Sequence, residues 1–410
     1  MWCQQRRHEL DGLRVLAFGL LILYHVGMAY VADWGWHIKS EHLSEPLQYL
    51  MLWSNQWRMS LLFLISGAAI SYQLARASGV GFMGANARKL LVPLVFGSLV
   101  IVAPQAFVES RQAGELADMS YWRFWQNYLG YPFGFGEPLP PVYLRLEPTH
   151  IIYNHLWYLL YLFAYVAVLW LMYPLLNSSA ARALGRWLDR HLPAGALVVL
   201  PIVVLFAIGQ WLWADYPTTY FLVDDWYNNA RYFFVFALGF ALVRSNRLWS
   251  ALGRMRRFTL LVATASYLGI LFYYRGGQLS LIAPFEELLR ALVWSANAWL
   301  WIAAIIGYGQ RYLATAKPRI QAANRAVYCC YIVHQTLIVV ALYVLADWHL
   351  GPVLEPVTLI ALTALGCYLS YRLIRPIPYL RVCFGLFEKA PQTTHWRMVS
   401  RSFSTRRKSS

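Results

Sequence analysis

The sequence predicts an all-α membrane protein, a polytopic bundle of about ten transmembrane helices with both chain termini in the cytosol. Three observations support this fold class: the composition, the spacing of the apolar runs and the distribution of charge. Of 410 residues, 59% are hydrophobic and 13% are charged, against about 45–50% and about 25% in ordinary soluble domains. Aromatic residues make up 17% of the chain, which suits membrane interfaces. This composition excludes a disordered chain, a fibrous repeat and a typical soluble enzyme.

Ten apolar runs are candidates for helices that cross a bilayer, which takes about 20 mostly apolar residues. The first run follows Arg6 and Arg7, as in a signal peptide, but it lacks a clear cleavage site, so we interpret it as a retained first helix. The second run is long, the sixth is short, and no internal repeat is visible. The predicted spans are 13–33, 47–75, 88–107, 152–174, 194–213, 229–244, 258–275, 284–307, 327–346 and 353–372.

The segments that connect these runs alternate in charge. Because Lys and Arg are retained on the cytosolic side, the cationic segments are predicted to face the cytosol, together with both termini. Topology and contact with anionic lipid in the bilayer then account for the net charge of +16, which argues against a nucleic-acid partner. Cationic clusters lie at 6–7, 76, 182–190, 244–257, 311–325 and the C-terminal tail, and acidic ones at 33–45, 109–147, 215–225 and 347.

The chain divides into one membrane domain, 1–387, and a basic, Ser-rich cytosolic tail, 388–410, that is predicted to be disordered. The longest external segment, 108–151, contains a Gly- and Pro-rich stretch at 130–141. This segment is either a functional loop or a packing cap over the bundle. Five cysteines without a C-x-x-C pair are interpreted as small hydrophobic residues, most of them in or beside apolar runs: Cys3, Cys329, Cys330, Cys367 and Cys383.

Ionisable side chains inside the predicted spans are candidates for function, since each costs at least about 2–3 kcal/mol at membrane depth. Arg14 and His25 share the first helix and lie eleven residues apart, which places them on one face at a separation of about 16 Å. Arg14 is predicted at the cytosolic mouth and His25 just beyond mid-membrane. The full set is Arg14, His25, Arg58, Arg231, Glu286, Glu287, Arg290 and His334.

His25 has two interpretations. An imidazole titrates near neutrality and can take a proton from a hydroxyl as a general base, or it can satisfy a hydrogen bond between helices. Arg14 is either its functional partner or a topology anchor whose head extends to the interface. No Ser or Cys nucleophile motif is evident, and no metal site is predicted, because His25, His155 and His334 lack ligand spacing and a carboxylate cluster.

The remaining polar candidates fall into two groups. Arg58 and Arg231 are predicted to line an outward-facing cavity with Glu286 and Arg290, although the last two also suit an i,i+4 ion pair. His334 and Gln335 suit hydrogen bonds across helices. Arg88 and Lys89, at the predicted start of the third helix, either bind a multiply charged anion or serve as cytosolic anchors; two cations at a helix start are unfavourable for the helix dipole.

Several of these segments together resemble the acyltransferase-3 family of integral membrane acyltransferases. Each segment is short, but they occur in the family's order over about 10–375, and the ten-helix count agrees. The segments are Leu10-Asp-Gly-Leu-Arg14 with Tyr24-His25, Trp57-Arg58 with Ser66-Gly67, Ala87-Arg88-Lys89 with Pro93, His155-Leu-Trp157, and Tyr331-Ile-Val-His334-Gln335-Thr.

The resemblance implies O-acyl transfer from cytosolic acyl-CoA, as co-substrate, to a hydroxyl of an envelope carbohydrate outside a bacterial inner membrane. No permanently bound cofactor is implied. In the family the first-helix pair, here Arg14 and His25, is essential. A basic pair at helix three, here Arg88 and Lys89, is associated with donor binding, although the family's usual form is two Args separated by one residue.

On this reading Arg58, Arg231, Glu286, Arg290 and His334 are candidates for the acceptor side. The helix-two and helix-nine segments look most like the branch that modifies periplasmic glucans. The acyl group is of acetyl or succinyl type. Two alternatives remain open at this stage: a proton-coupled transporter or flippase of an envelope precursor, and a sensor or scaffold without chemistry.

The predicted topology is directly testable. A cysteine introduced into segment 108–151 should react with a membrane-impermeant reagent applied from outside the cell, and one introduced into 245–256 should not. The physical reason is the retention of cationic segments in the cytosol. The reverse labelling pattern would contradict the orientation.

Overall fold

The computed structural model describes residues 7–116, 118–135, 153–277, 285–315 and 317–387, and about 80% of it is helical. In chain order the α-helices are α1 His8–Met28, α2 Glu45–Asn55, α3 Arg58–Arg76, α4 Val80–Phe96, α5 Ala103–Gln112, α6 Tyr121–Gly130, α7 Trp157–Leu176, α8 Ser179–His191, α9 Ala196–Leu212, α10 Trp226–Leu242, α11 Asn246–Tyr274, α12 Glu286–Tyr312, α13 Pro318–Leu345, α14 Gly351–Ile374 and α15 Pro378–Cys383. A π-helical turn, Gly97–Ile101, joins α4 to α5.

The predicted all-α membrane bundle is confirmed. Within the described residues, eight helical segments are long and apolar enough to cross a membrane. The two other predicted spans correspond to α9 and α10, each of 17 residues. The tail 388–410 and much of the external segment, from 136 to 151, lie outside the described residues. The eight segments are His8–Met28, Glu45–Arg76, Val80–Gln112, Asn154–Leu176, Asn246–Tyr274, Glu286–Tyr312, Pro318–Trp348 and Gly351–Ile374.

The first helix ends earlier than the sequence predicts. Beyond Met28 the chain turns, and backbone groups of the following segment satisfy its carbonyls: Ser40 N donates to Ala29 O at 3.0 Å and Ser44 N to Tyr30 O at 2.8 Å. The residues at 29–33, which the sequence places in the first span, therefore belong to a turn. As a result His25 lies in the last turn of α1, nearer the end of the helix than predicted.

The helix that carries Arg88 and Lys89 begins earlier than the sequence predicts. It starts at Val80, because the small and apolar residues of 80–87 continue the helix through two turns. The two cations therefore lie in the third turn instead of at the helix start, which removes the unfavourable placement against the helix dipole.

The long second span is interrupted at Gln56 and Trp57, so that α2 and α3 are separate helices. The carbonyl of Gln56, left without a helical partner by the break, accepts a hydrogen bond from Nη2 of Arg231 in α10. Broken helices at membrane depth need such partners, because lipid offers none. Arg58 thus becomes the first residue of α3.

Two glycines let α3 and α10 pack with their backbones in contact. A Cβ at Gly67 would overlap the carbonyl oxygen of Phe236, and a Cβ at Gly239 would overlap that of Leu64. The helices run parallel, since Arg231 meets Gln56 at one end of the pair and Arg244 meets Ser71 at the other. The crossing therefore fixes Arg58 and Arg231 at the same end.

We expect Gly67→Ala to lower the thermal stability of the detergent-solubilised protein. The added methyl group has backbone atoms against it, and overpacking of this kind costs about 1–3 kcal/mol. Gly209→Ala in α9 is the matched control, because no atom lies within 4 Å of its new Cβ. Equal melting temperatures for the two variants would contradict the close crossing.

Candidate functional site

A hydrogen-bonded pair of histidines forms the centre of the site. Nδ1 of His25 lies 2.7 Å from Nε2 of His334, which belongs to the middle of α13. Nδ1 of His334 lies 2.7 Å from the carbonyl oxygen of Tyr331. His334 is fully buried, so both of its ring nitrogens are committed to these contacts.

The carbonyl of Tyr331 determines where the protons lie. A carbonyl can only accept, so Nδ1 of His334 donates to it, and Nε2 of the neutral ring must accept the proton of His25 Nδ1. Nε2 of His25 is then the unprotonated nitrogen, and His25 as a residue is partly exposed. The arrangement orients His25 as a potential general base.

Two further rings surround this pair. Trp36, from the turn after α1, stacks on His25 with 5.4 Å between ring centroids. His155 packs edge-on against His334 at 5.1 Å, and its Nε2 donates to Ile332 O at 3.1 Å. The 2.7 Å between the His25 and His334 nitrogens is a hydrogen-bond distance, shorter than the about 3.3 Å between two nitrogens on a tetrahedral metal. Among the described residues, no group of three or more His, Cys, Asp or Glu side chains is arranged to hold a metal ion.

A second polar network lies beyond Trp36. Nδ1 of His37 is 2.8 Å from Oε2 of Glu109, and Nε2 of His37 is 2.8 Å from the side-chain nitrogen of Gln335. Gln335 also donates to Oε1 of Gln105 at 3.1 Å. The carboxylate accepts from His37 Nδ1–H and the amide donates to Nε2, so both ring nitrogens of His37 have partners. This network fixes the turn that covers His25.

Arg58 and Arg231 lie on the His25 side of the bundle. The Arg58 guanidinium carbon is 3.4 Å from the ring centroid of Tyr24, the neighbour of His25. Both arginines and Tyr24 act electrostatically on the hydroxyl of Tyr220. The structure thus brings Arg58 and His334 of the predicted set beside His25, and it places Arg231 with Arg58 around Tyr220.

The 213–225 segment holds Tyr220 in place. Tyr220 has a positive φ of 59°, a conformation that non-glycine residues rarely adopt and that is often associated with functional sites. The buried carboxylate of Asp225 accepts from Tyr161 Oη at 2.7 Å and Asn228 Nδ2 at 3.0 Å. Burial raises the pKa of Asp225, although these two hydrogen bonds act in the opposite direction.

The predicted donor-side residues separate in the structure. Lys89 lies within electrostatic range of Arg14, and its backbone carbonyl accepts from the hydroxyl of Tyr328 at 2.8 Å. Arg88 instead packs over the ring of Phe387 at 5.5 Å. Lys89 therefore lies in the neighbourhood of Arg14, whereas the Arg88 guanidinium packs against Phe387.

Water can reach three residues of the predicted site. Lys89 is exposed, and His25 and Arg231 are partly exposed. One face of α13 connects Lys89 to His25, since Tyr328 contacts Lys89 and His334 contacts His25. Six residues separate Tyr328 from His334, about 9 Å of helix.

Glu286 and Arg290 do not join this cluster. They lie in the first turns of α12, where Arg290 is exposed and pairs with Glu287 at 3.8 Å. A different polar cavity, of about 250 Å³, lies beside the second network. Its lining includes Lys39, Glu41, Gln112, His349 and Glu355.

Sequence reasoning missed several site residues. Trp36, His37 and Glu109 lie in or beside external segments, and nothing local in the sequence connects them with His25. One available signal was the run of three polar residues, 334–336, inside an apolar helix. The partner of each member was visible only in the folded chain.

The fold and site define an integral membrane protein that holds an oriented imidazole inside a helical bundle. A family model described as an acyltransferase domain matches residues 7–372. The chain therefore belongs to the acyltransferase-3 family and is a membrane acyltransferase. Comparison with curated proteins finds no match, and comparison with solved structures also finds none.

The access of water to Lys89 is testable without an activity assay. In a variant whose five native cysteines are replaced, Lys89→Cys should react with a small water-soluble thiosulfonate, because a thiol in contact with water ionises. Two controls lie on the same helix: buried Leu90→Cys and exposed Val92→Cys, whose thiol would face lipid. Labelling of Val92→Cys but not Lys89→Cys would contradict the access of water to Lys89.

Proposed function

We propose that the protein lies in the bacterial inner membrane and transfers an acyl group from cytosolic acyl-CoA to a hydroxyl of an envelope carbohydrate. The acyl group is of acetyl or succinyl type, and His25 acts as the general base. The proposal rests on two consecutive hydrogen bonds, which we call the relay. They run from the Tyr331 carbonyl through His334 to His25. The relay leaves one imidazole nitrogen unprotonated on a residue that is partly exposed, and we place the reaction in a cavity that extends from there to Lys89. Membership of an acyltransferase family supports the reaction type.

The donor's phosphates are assigned to the cationic end of the cavity. Arg14 and Lys89 supply two positive charges with no carboxylate paired to them among the described residues. Charge-assisted contacts of this kind bind phosphate strongly. The acyl thioester then extends along the Tyr328 face of α13 toward His25. Arg88, which lies apart over Phe387, contributes at most to the outer part of this site.

The acceptor is assigned to the opposite end, where the polar cavity of about 250 Å³ lies beside His37. Carboxylate, imidazole and amide groups in its lining suit a molecule rich in hydroxyl groups. Gln335, one residue beyond His334 in α13, connects this region to the relay. A glucan is our proposal for the acceptor, and it rests on the resemblance of the helix-two and helix-nine segments.

The chemistry is a direct transfer. As the acceptor oxygen attacks the thioester carbon, Nε2 of His25 takes its proton, while Nδ1–H stays bonded to His334. The new C–O bond forms, the C–S bond breaks, and the proton passes from His25 to the departing sulfur. Holding both substrates in one cavity makes the reaction effectively unimolecular.

The proposal predicts unequal effects for two histidines. With purified full-length protein, labelled acyl-CoA and an envelope glycan extract, His25→Gln should lower transfer by about 10²–10⁴-fold, because an amide cannot act as a base. His334→Ala should lower it by about 10–100-fold, the scale on which orienting partners act. His334→Gln should recover part of this loss, because its oxygen can accept the proton of His25.

His191→Gln is the matched control, since His191 stacks on Trp187 at the surface of α8. It should transfer at the wild-type rate. Near-normal transfer by a folded His25→Gln variant would exclude His25 as the base. Mass spectrometry of envelope glycans from a deletion strain identifies the acceptor and the acyl group.

A further inference from the structure

The α3 helix begins inside the second membrane span without a cap. Its N-cap residue, Trp57, makes no capping side-chain bond, and the first helical hydrogen bond is Leu61 N to Trp57 O at 2.8 Å. The backbone N–H groups of the first turn, on Arg58, Met59 and Ser60, therefore receive no side-chain cap from Trp57. A helix N-terminus carries partial positive charge and attracts anions.

The side chains of this first turn add more unused donors. Arg58 is 5% exposed, and its Nε and Nη1 have no hydrogen-bond partner. Ser60 is 2% exposed, and its hydroxyl also lacks a partner. No carboxylate of the described residues pairs with Arg58. A buried guanidinium without an anion is costly, so the arrangement indicates that a ligand oxygen completes it.

These donors lie beside the proposed base. The Arg58 guanidinium covers the ring of Tyr24, whose own ring centroid is 5.9 Å from that of His25, and its charge acts on His25 directly. Arg231, held at Gln56 by the helix break, supports the backbone immediately before α3. The donors and the base therefore face one region of the cavity.

We propose that the start of α3, with the Arg58 guanidinium, is an oxyanion site that binds the carbonyl oxygen of the acyl thioester during transfer. This inference rests on the proposed function. When the acceptor oxygen bonds to the carbonyl carbon, the electron pair of the C=O bond moves to the oxygen, and that oxyanion is held by Arg58. The pair returns as the C–S bond breaks. Arg58 is thus assigned to the donor's carbonyl group and not to the acceptor.

Binding of a tetrahedral mimic tests the site without knowledge of the acceptor. The probes are CoA and a trifluoroketone analogue of acyl-CoA, whose hydrated carbonyl resembles the tetrahedral intermediate, measured by titration calorimetry on full-length protein in nanodiscs. The variants are Arg58→Gln and Arg58→Lys. The lysine keeps the positive charge but loses the paired N–H donors of the guanidinium. Arg244→Gln is the control: its Nε donates to Ser71 at 3.0 Å at the other end of the same helix pair.

Wild-type protein and Arg244→Gln should bind the analogue much more tightly than CoA. Arg58→Gln should lower the affinity for the analogue by about 10²–10³-fold, the cost of losing an oxyanion donor, and leave the affinity for CoA unchanged. Arg58→Lys should bind the analogue with an affinity between those of wild type and Arg58→Gln. If Arg58→Gln does not fold, the affinity of Arg58→Lys tests the inference. The inference is overturned if the Arg58 variants bind the analogue like wild type, or if they lose CoA and analogue equally. Wild-type protein that binds the analogue but transfers no acyl group would overturn the proposed function and leave the site standing; wild-type protein that binds neither probe would overturn both.

Discussion

The hydrogen bond between His25 and His334 is the interaction around which the rest of the site is arranged. A polar ring inside a bilayer has no water to satisfy it, so each nitrogen needs a protein partner or an accessible cavity. The Tyr331 carbonyl supplies the fixed acceptor at one end of the relay. Trp36 and the turn after α1 cover the other end. Among the described residues, Nε2 of His25 is the nitrogen of the pair that has no hydrogen-bond partner.

Irregular backbone gathers around the same place. The break between α2 and α3 exposes the Gln56 carbonyl, which Arg231 satisfies. The π-helical turn between α4 and α5 exposes others: Thr336 Oγ donates to Ile101 O at 2.6 Å, and Tyr128 Oη donates to Ser98 O at 2.9 Å. Such departures are tolerated at membrane depth only where protein groups meet the freed carbonyls, and they are frequent at functional sites.

Helix α13 connects the two ends of the cavity. Tyr328, Tyr331 and His334 follow each other at intervals of three residues, so they lie close together along one side of the helix. Gln335 and Thr336 turn toward the outer network instead. One helix thereby links the cationic group at Lys89, the histidine relay and the covering turn. In the proposed function, this is the helix along which donor and acceptor meet.

The sequence by itself determined the fold class and the approximate positions of the helical spans, and it marked Arg14, His25, Lys89 and His334 as polar groups in or beside apolar runs. These are local properties, because the length of an apolar run and the presence of a charged residue within it depend only on residues that are adjacent in the sequence. Only the tertiary structure decided that His334 orients His25, because the two are 309 residues apart. It also decided that α1 ends at Met28, that Arg88 and Lys89 separate, and that Glu286 lies elsewhere, because partners from distant segments fix each of these. Hydrogen-bond direction depends on which acceptor is within reach, and that is a property of the packed chain.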